Sequence, residues 1–432
     1  MSDLLAARGI PIRQGWDPIN LDEPAPDLVI IGNAIRRDNP EAVATLERDL
    51  AYTSFPEAMG ELFLAHRKPI VITGTHGKTT TTGLAAWLFG QTGRQPGFLV
   101  GGVLPDLGTS HELGTEGGPF IIEGDEYDTA FFEKTAKFLH YRPHTAVLTS
   151  VEFDHADIYA DLAAIEDAFE RFVRLLPDDG RLLVCADHDA PGRIAQACSA
   201  SVETYGVSEG ADWRGLRVDA GPTGMRFDLL HRGQNVATFE TRLTGDHNLA
   251  NITAALALAI HEGADIDELR DALARFGGVK RRQELIGEVN GFAVIDDFAH
   301  HPTAVKATIA AIREQYPERP LRVIFEPRSN TTVRSFFQDR YTDALSDADA
   351  VDIAPIHRPH LVPEDDRLNI ERLAADLCQH GVDAHAHPEG VDSIIEHTAE
   401  NARDGEVMLV LSNGAFGGIH NRLLETLRGV HR

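Results

Sequence analysis

Short apolar runs alternate along the chain with stretches of helical periodicity, a pattern that predicts repeated β-α units and a mainly parallel sheet. Pro69 to Thr73 (PIVIT) reads as a buried strand opening into a glycine loop. Thr80 to Leu88, free of Pro and of Gly beyond Gly83, reads as the helix behind it. Phe120 to Glu123 (FIIE), Thr145 to Ser150 and Arg181 to Cys185 predict further strands, with a helix over Leu162 to Leu176 that ends ahead of Pro177. Residues Met225 to Leu243 alternate on either side of His231 to Asn235, which predicts an antiparallel hairpin at a sheet edge. Helical spacing returns over Asn248 to His261 and Ile266 to Phe276, and Gly277-Gly278 offers a hinge. Beyond it, strands at Phe292–Ile295, Leu321–Phe325, Val351–Ala354 and Val407–Leu411 alternate with helices at Ala304–Tyr316 and Ile370–His380. That alternation predicts a separate C-terminal α/β domain.

Length and composition narrow the class. A chain of 432 residues exceeds one ordinary core and predicts two or three domains. Hydrophobic content of 43% with 25% charged residues is that of a soluble globular protein. No apolar run approaches the ~20 residues of a membrane span, and no signal-peptide core is present. Three scattered cysteines, Cys185, Cys198 and Cys378, fit a reducing cytoplasm. A net charge of −27 excludes nucleic acid as a partner, since phosphate contacts need clustered Lys and Arg. It predicts that an anionic substrate sits in a locally basic pocket against an adverse field. Solubility and a saline habitat both remain readings of the acidity.

The chemistry begins at Gly74-Thr75-His76-Gly77-Lys78-Thr79-Thr80, a shortened relative of the Walker loop between strand and helix. Glycines let successive N–H groups face phosphate, the helix N-terminus adds partial positive charge, Lys78 can reach the β/γ oxygens and Thr79 can ligate Mg²⁺. Magnesium needs hard oxygen ligands. Glu123 ends the FIIE strand within Glu123-Gly124-Asp125-Glu126-Tyr127-Asp128, and a second strand end carries Glu152-Phe153-Asp154-His155-Ala156-Asp157. A solvated acidic turn is the bland reading of either cluster alone, but two such strand ends beside one phosphate loop point to a metal-assisted site. The remaining histidines lack HxxxH or CxxC spacing, so no zinc site is expected.

In that order, GTHGKTT, EGDEYD, EFDHADIY, GDHNLANITAA, GVKRRQE and DDFAHHPTA resemble the Mur ligases of peptidoglycan assembly. Within the family the resemblance is to the branch that recycles murein peptide. Its markers are Gly32-Asn33-Ala34-Ile35, Asn39-Pro40-Glu41, Glu326-Pro327-Arg328-Ser329-Asn330-Thr331 and Ser412-Asn413-Gly414-Ala415-Phe416-Gly417-Gly418-Ile419-His420. The resemblance implies an α/β protein of three domains. These are a Rossmann-like UDP-sugar domain (1–64), a central P-loop ATPase domain (65–283) and a Rossmann-like C-terminal domain (284–432). It also implies ATP and Mg²⁺ as cofactors, and UDP-N-acetylmuramate and a murein tripeptide as substrates, in a cytoplasmic monomer or weak homo-oligomer.

Roles follow residue by residue from the same resemblance. Lys78, Glu123 and His155 are expected to be catalytic, with Thr79, Glu123 and His155 at the metals. Asn248 and Asn251, one helical turn apart, are expected at the adenine. Arg281 or Arg282 and the Asp297/His300 pair are expected to close over ATP from the C-terminal domain. Arg328, Ser329, Asn330, Asn413 and His420 are expected to meet the peptide, and Asn33 and Asn39 are expected among the substrate-binding residues. Two departures stand out. Phe169 aligns with a carbamylated lysine of branches that add later amino acids. The strand, GxxGxG turn, helix and second strand that open family members are not found in residues 1–50, which implies an incomplete UDP-sugar domain and weak or no activity for this chain. The alternatives are a ligase adding L-alanine, a folate ligase, and a nucleotide switch that only binds ATP.

Overall fold

The computed structural model describes residues 2–154, 158–329 and 331–429. A short N-terminal unit holds α1 (Ser2–Ala7), β1 (Val29–Ile31), α2 (Pro40–Glu47), β2 (Tyr52–Ser54) and α3 (Phe55–Ala58). β1 and β2 pair in parallel across the α2 crossover, a single βαβ turn. Asn39 caps α2, its side-chain oxygen accepting from the N–H groups of Glu41 and Ala42, and Pro40 follows where the missing N–H costs nothing. The unit leans on the next domain through Tyr52, whose ring meets the Phe132 ring edge-on at 5.1 Å.

The central domain is built on a ten-stranded sheet. Along the chain run β3 (Lys68–Thr73), α4 (Lys78–Gln91), β4 (Gly97–Leu104), β5 (Thr109–Glu112) and β6 (Pro119–Gly124). A small hairpin of β7 (Asp128–Ala130) and β8 (Glu133–Ala136) precedes β9 (Thr145–Leu148), α5 (Leu162–Val173), β10 (Arg181–Cys185), α6 (Asp189–Ile194) and β11 (Ser201–Gly206). Then come β12 (Trp213–Gly221), β13 (Gly224–His231), β14 (Gln234–Thr241), α7 (Asp246–His261) and α8 (Ile266–Arg275). The spatial order is β14-β13-β12-β11-β10-β9-β3-β6-β4-β5, parallel from β12 to β4. The predicted hairpin is there at the edge, as part of a three-stranded antiparallel extension.

Alternation along β3 explains why the run is apolar throughout. Ile70 and Ile72 point into the core under α4, α7 and α8, whereas Val71 points into the core under α5. A strand covered on both faces has no solvent side to make polar. For the same reason α7 is buried nearly all round rather than striped. Phe169 is one of the residues under the sheet, wholly buried and 5.1 Å from the Phe138 ring, so its position carries core packing and no polar chemistry.

The C-terminal domain repeats the plan. Its elements are β15 (Glu284–Val289), β16 (Phe292–Asp297), α9 (Pro302–Gln315), β17 (Leu321–Phe325), α10 (Gln338–Leu345), β18 (Ala350–Ile353), α11 (Ile370–Gln379), β19 (Asp383–Ala386), α12 (Val391–Asn401), β20 (Val407–Leu411) and α13 (Ile419–Leu427). The sheet order is β15-β16-β20-β17-β18-β19, parallel except for the β15 edge. No helix among the described residues is long and apolar enough to cross a membrane.

One polar cluster interrupts this second core. Arg322, wholly buried on β17, donates from Nη1 to Asp352 Oδ2 at 2.8 Å and from Nε to Glu406 Oε2 at 3.0 Å. Asp352 Oδ1 in turn meets His387 Nε2 at 2.8 Å and His397 Nδ1 at 2.9 Å. Hydrogen bonding to Asp352 raises the His397 pKa, against burial.

Two outcomes follow. Arg322→Leu should lower the urea-unfolding free energy by about 3–5 kcal/mol, because it strands two buried carboxylates. Because the folded pKa of His397 lies above its unfolded value, its contribution is complete in acid and fades as pH rises through the folded pKa. The destabilisation caused by His397→Gln should therefore be larger at about pH 5.5 than at about pH 8.5.

Candidate functional site

The phosphate loop leaves β3 at the centre of the sheet, with β6 on one side and β9 on the other. Strand order reverses here, so the carboxyl edge opens a crevice at the loop. Gly74 and Gly77 have φ of +131° and +81°, a region that favours glycine. A side chain at Gly77 would also stand 2.5 Å from Asn251 Oδ1. The loop is pinned to β9, since Ser150 O accepts from Thr75 N at 2.6 Å and Ser150 Oγ accepts from His76 N at 3.0 Å.

Lys78 sits at the first turn of α4, and its ammonium donates to Glu126 at 2.8 Å and 3.1 Å and to Gly74 O at 2.5 Å. Burial disfavours the ammonium, but Glu126, Asp125 and Glu123 outweigh it and raise the Lys78 pKa. Lys78 thus stays charged. Thr79 donates its hydroxyl to Glu123 Oε1 at 3.0 Å, and Glu123 Oε2 accepts from Gly101 N at 2.9 Å. Two hard oxygens converging beside a phosphate loop fit Mg²⁺. His155, expected at the same metals, lies outside the described residues.

Behind the loop, Asn251 Oδ1 accepts from Thr81 Oγ1 at 3.1 Å, while Asn248 Nδ2 donates to Thr244 O at 2.9 Å. The two buried amides share a face of α7, as their spacing predicts, yet Asn251 is packed against the phosphate loop itself.

The segment after α8 carries the second domain over this edge. Lys280 N donates to Val103 O, and Arg282 Nη2 reaches Thr79 Oγ1 at 3.2 Å. Arg281 turns the other way, from Nε to Asp296 Oδ2 at 3.0 Å and from Nη2 to Ser412 O at 2.6 Å. The Phe298 ring lies under both guanidinium groups, at 5.2 Å from Arg281 and 4.7 Å from Arg282. The arginine meeting the phosphate loop is therefore Arg282. Asp297 is buried and accepts from the backbone N–H groups of Gln283 (2.8 Å) and Ala299 (2.7 Å), so it folds the linker that aims Arg282. Burial raises its pKa, against the nearby Arg282 charge. His300 Nδ1 donates to Phe298 O at 3.0 Å, and its Nε2 is 3.9 Å from Asp154 Oδ2.

Farther along the edge of the C-terminal sheet, Arg328 Nη1 donates to Glu326 Oε1 at 3.1 Å, and Glu326 Oε2 accepts from Ser412 Oγ at 2.5 Å. Gly414 lies against the Arg328 guanidinium so closely that a Cβ there would meet Nε at 2.2 Å. Arg328 and the Asn413 loop are thus one pocket. Ser329 Oγ lies 2.7 Å from Thr332 Oγ1, and His420 Nε2 is 3.1 Å from Asp296 Oδ1. Asn330 lies outside the described residues. Asn33 is exposed in the turn after β1, and the Asn39 side chain is occupied as a helix cap.

Several residues had no role assigned from the sequence. Glu126, Gly101, Glu326 and Ser412 hold Lys78, Glu123 and Arg328 in place. Glu126 and the Glu326–Ser412 pair lie in quoted motifs, but their partners are set by strand register, not by spacing. His76, Glu152 and His301 also converge, although spacing along the chain suggested no such cluster.

Comparison with known families matches residues 72–259 to the Mur ligase middle domain, 281–414 to the Mur ligase glutamate ligase domain, and 1–67 to the Mur ligase family catalytic domain. The chain is 40% identical over 430 residues to the UDP-N-acetylmuramate–L-alanyl-γ-D-glutamyl-meso-2,6-diaminoheptandioate ligase of Escherichia coli (strain K12), covering 99% of this chain and 90% of that one. It is 33% identical over 449 residues to the UDP-N-acetylmuramate–L-alanine ligase of Roseiflexus sp. (strain RS-1), covering 99% and 92%. The crystal structure of a murein peptide ligase from Psychrobacter arcticus superposes with a TM-score of 0.70 at 33% identity, over 100% of this chain and 92% of that one.

Gly77→Ala should weaken ATP binding at least tenfold by calorimetry, since about 1–3 kcal/mol of backbone strain adds to the clash with Asn251.

Proposed function

The chain belongs to the Mur ligase family, and on that premise we propose that it joins the murein tripeptide L-alanyl-γ-D-glutamyl-meso-diaminopimelate to UDP-N-acetylmuramate, using ATP. The observation that carries the choice of amine substrate is the near full-length identity to a ligase named for that tripeptide. The Arg328 pocket supports it, offering a guanidinium held by Glu326 where a carboxylate-bearing peptide can dock.

In this reading a carboxylate oxygen of the muramic acid attacks the γ-phosphorus of ATP, ADP departs, and an acyl phosphate forms. The tripeptide amine then attacks the acyl carbon, losing a proton, and inorganic phosphate leaves. Charge on the transferring phosphoryl group is the main demand. Incoming phosphate oxygens compete with Glu126 for the Lys78 ammonium, while Arg282 reaches the same loop from the opposite domain. Mg²⁺, when bound by Thr79 and Glu123, would neutralise phosphate charge. Closure of the C-terminal domain over the loop excludes water, which would otherwise hydrolyse the acyl phosphate.

Phosphate release should require UDP-N-acetylmuramate and tripeptide together. Free L-alanine in place of the tripeptide should lower kcat/KM at least a hundredfold. Comparable rates with L-alanine would move the chain to the L-alanine-adding branch, and phosphate release without an amine would favour a nucleotide switch.

Lys78→Ala should abolish turnover under any ATP-using reading. Arg328→Ala should instead raise KM for the tripeptide tenfold or more and leave the KM for ATP within about twofold, the loss of one charge-assisted contact of about 1.5–3 kcal/mol.

A further inference from the structure

His76 lies in the phosphate loop, Glu152 just beyond β9, and His301 at the N-cap of α9 in the C-terminal domain. Their ligating atoms lie within 4.8 Å of one another. Glu152 Oε2 stands 3.3 Å from His76 Nε2 and 3.2 Å from His301 Nδ1. Ligands about 2.0–2.1 Å from a tetrahedral zinc ion stand roughly 3.3 Å apart, so both spacings from Glu152 are those of neighbouring ligands, and they are also those of long hydrogen bonds. The other described group of this kind, Asp352 with His387 and His397, is different. Its separations of 2.8 Å and 2.9 Å are those of hydrogen bonds, and its carboxylate is already held by Arg322.

The carboxylate is held in place, because Glu152 Oε2 also accepts the Thr303 hydroxyl at 2.8 Å. His301 Nδ1 lies 3.4 Å from Thr303 N, a long contact that a bound ion would replace. All three groups therefore meet at one point of the domain seam. Burial also keeps His301 neutral, the form that binds metal.

We propose that His76 Nε2, Glu152 Oε2 and His301 Nδ1 form a site for one borderline divalent cation of the zinc or cobalt class, stapling the central domain to the C-terminal domain. Two imidazoles and one carboxylate select such ions, whereas the all-oxygen pair of Thr79 and Glu123 suits Mg²⁺. A water fills the fourth position. The Thr303 hydroxyl orients the carboxylate. Because one ligand comes from the phosphate loop and another from the opposite domain, the bound ion holds the seam closed and removes His76 from nucleotide contacts.

The test is a Co²⁺ titration of the full chain, without nucleotide and with Mg²⁺ in large excess. One equivalent should bind with the strong visible absorption of four-coordinate cobalt and be displaced by zinc. His301→Gln and Glu152→Gln should abolish the signal, His387→Gln should retain it, and Thr303→Val, which keeps all three ligands, should weaken binding by about 10–100-fold. Circular dichroism melts establish that each variant is folded. No cobalt signal in the unmodified chain, unchanged affinity in folded His301→Gln or Thr303→Val, or loss confined to His387→Gln would each overturn the proposal.

Discussion

A single ammonium held among carboxylates sets the terms for the active edge. Lys78 must remain charged in a crevice of a strongly acidic protein, and the strand ends of β6 supply the counter-charge through Glu126, Asp125 and Glu123. That arrangement requires β6 directly beside β3, and it requires the loop to be tied to β9 on the other side. The rest of the central sheet exists to fix those two neighbours. Because the ammonium is already paired, a phosphate gains little from bare attraction and must displace Glu126. The field at the loop thus selects for a ligand carrying several negative charges.

The domain seam answers the same constraint from the other side. Arg282 enters beside Thr79 with its guanidinium on the Phe298 ring, and Asp297 spends its carboxylate on the backbone N–H groups that shape the approach. Its neighbour Arg281 faces the opposite direction into Asp296 and the Ser412 carbonyl. From there Ser412 leads through Glu326 to Arg328. The glycine loop and the Arg328 side chain are consequently joined by a chain of charged and hydrogen-bonded groups, a physical route by which one end can sense the other.

Much of this was legible in the sequence where local rules decide. Strands such as Arg181–Cys185, Leu321–Phe325 and Val407–Leu411 appear with their expected bounds, because buried parallel strands are continuous apolar runs. β4, β12 and β19 were not foreseen, since Gly101-Gly102, the charged residues of β12 and the mixed residues of the β19 edge break both periodicities. Helices α10, α12 and α13 carry enough polar residues that only their docking makes them helical. At the site, glycine spacing and a strand end single out Lys78 and Glu123, whereas the RRQE stretch leaves Arg281 and Arg282 as equal choices that only the fold separates. The orientation of Ser329 and His420 is not legible in the same way, because which neighbour a side chain meets is decided by rotamer and packing. Asn39 illustrates this, a motif residue whose carbonyl oxygen is committed to a helix end.

Arg217 on β12 offers one more consequence. It pairs with Asp246 at the start of α7 and with Glu314 on α9, so one guanidinium ties the antiparallel edge of the central sheet to a helix of the other domain. It is partly solvent-accessible, and mobile ions within about a Debye length, roughly 8–10 Å at moderate ionic strength, weaken such ties. The protein therefore carries an ionic tether on the outer rim of its domain seam, separate from the half-buried Arg282 contact. Dissolved salt would loosen the rim long before it reached the interior, making the ease of domain separation a property of the surrounding electrolyte as well as of the bound nucleotide.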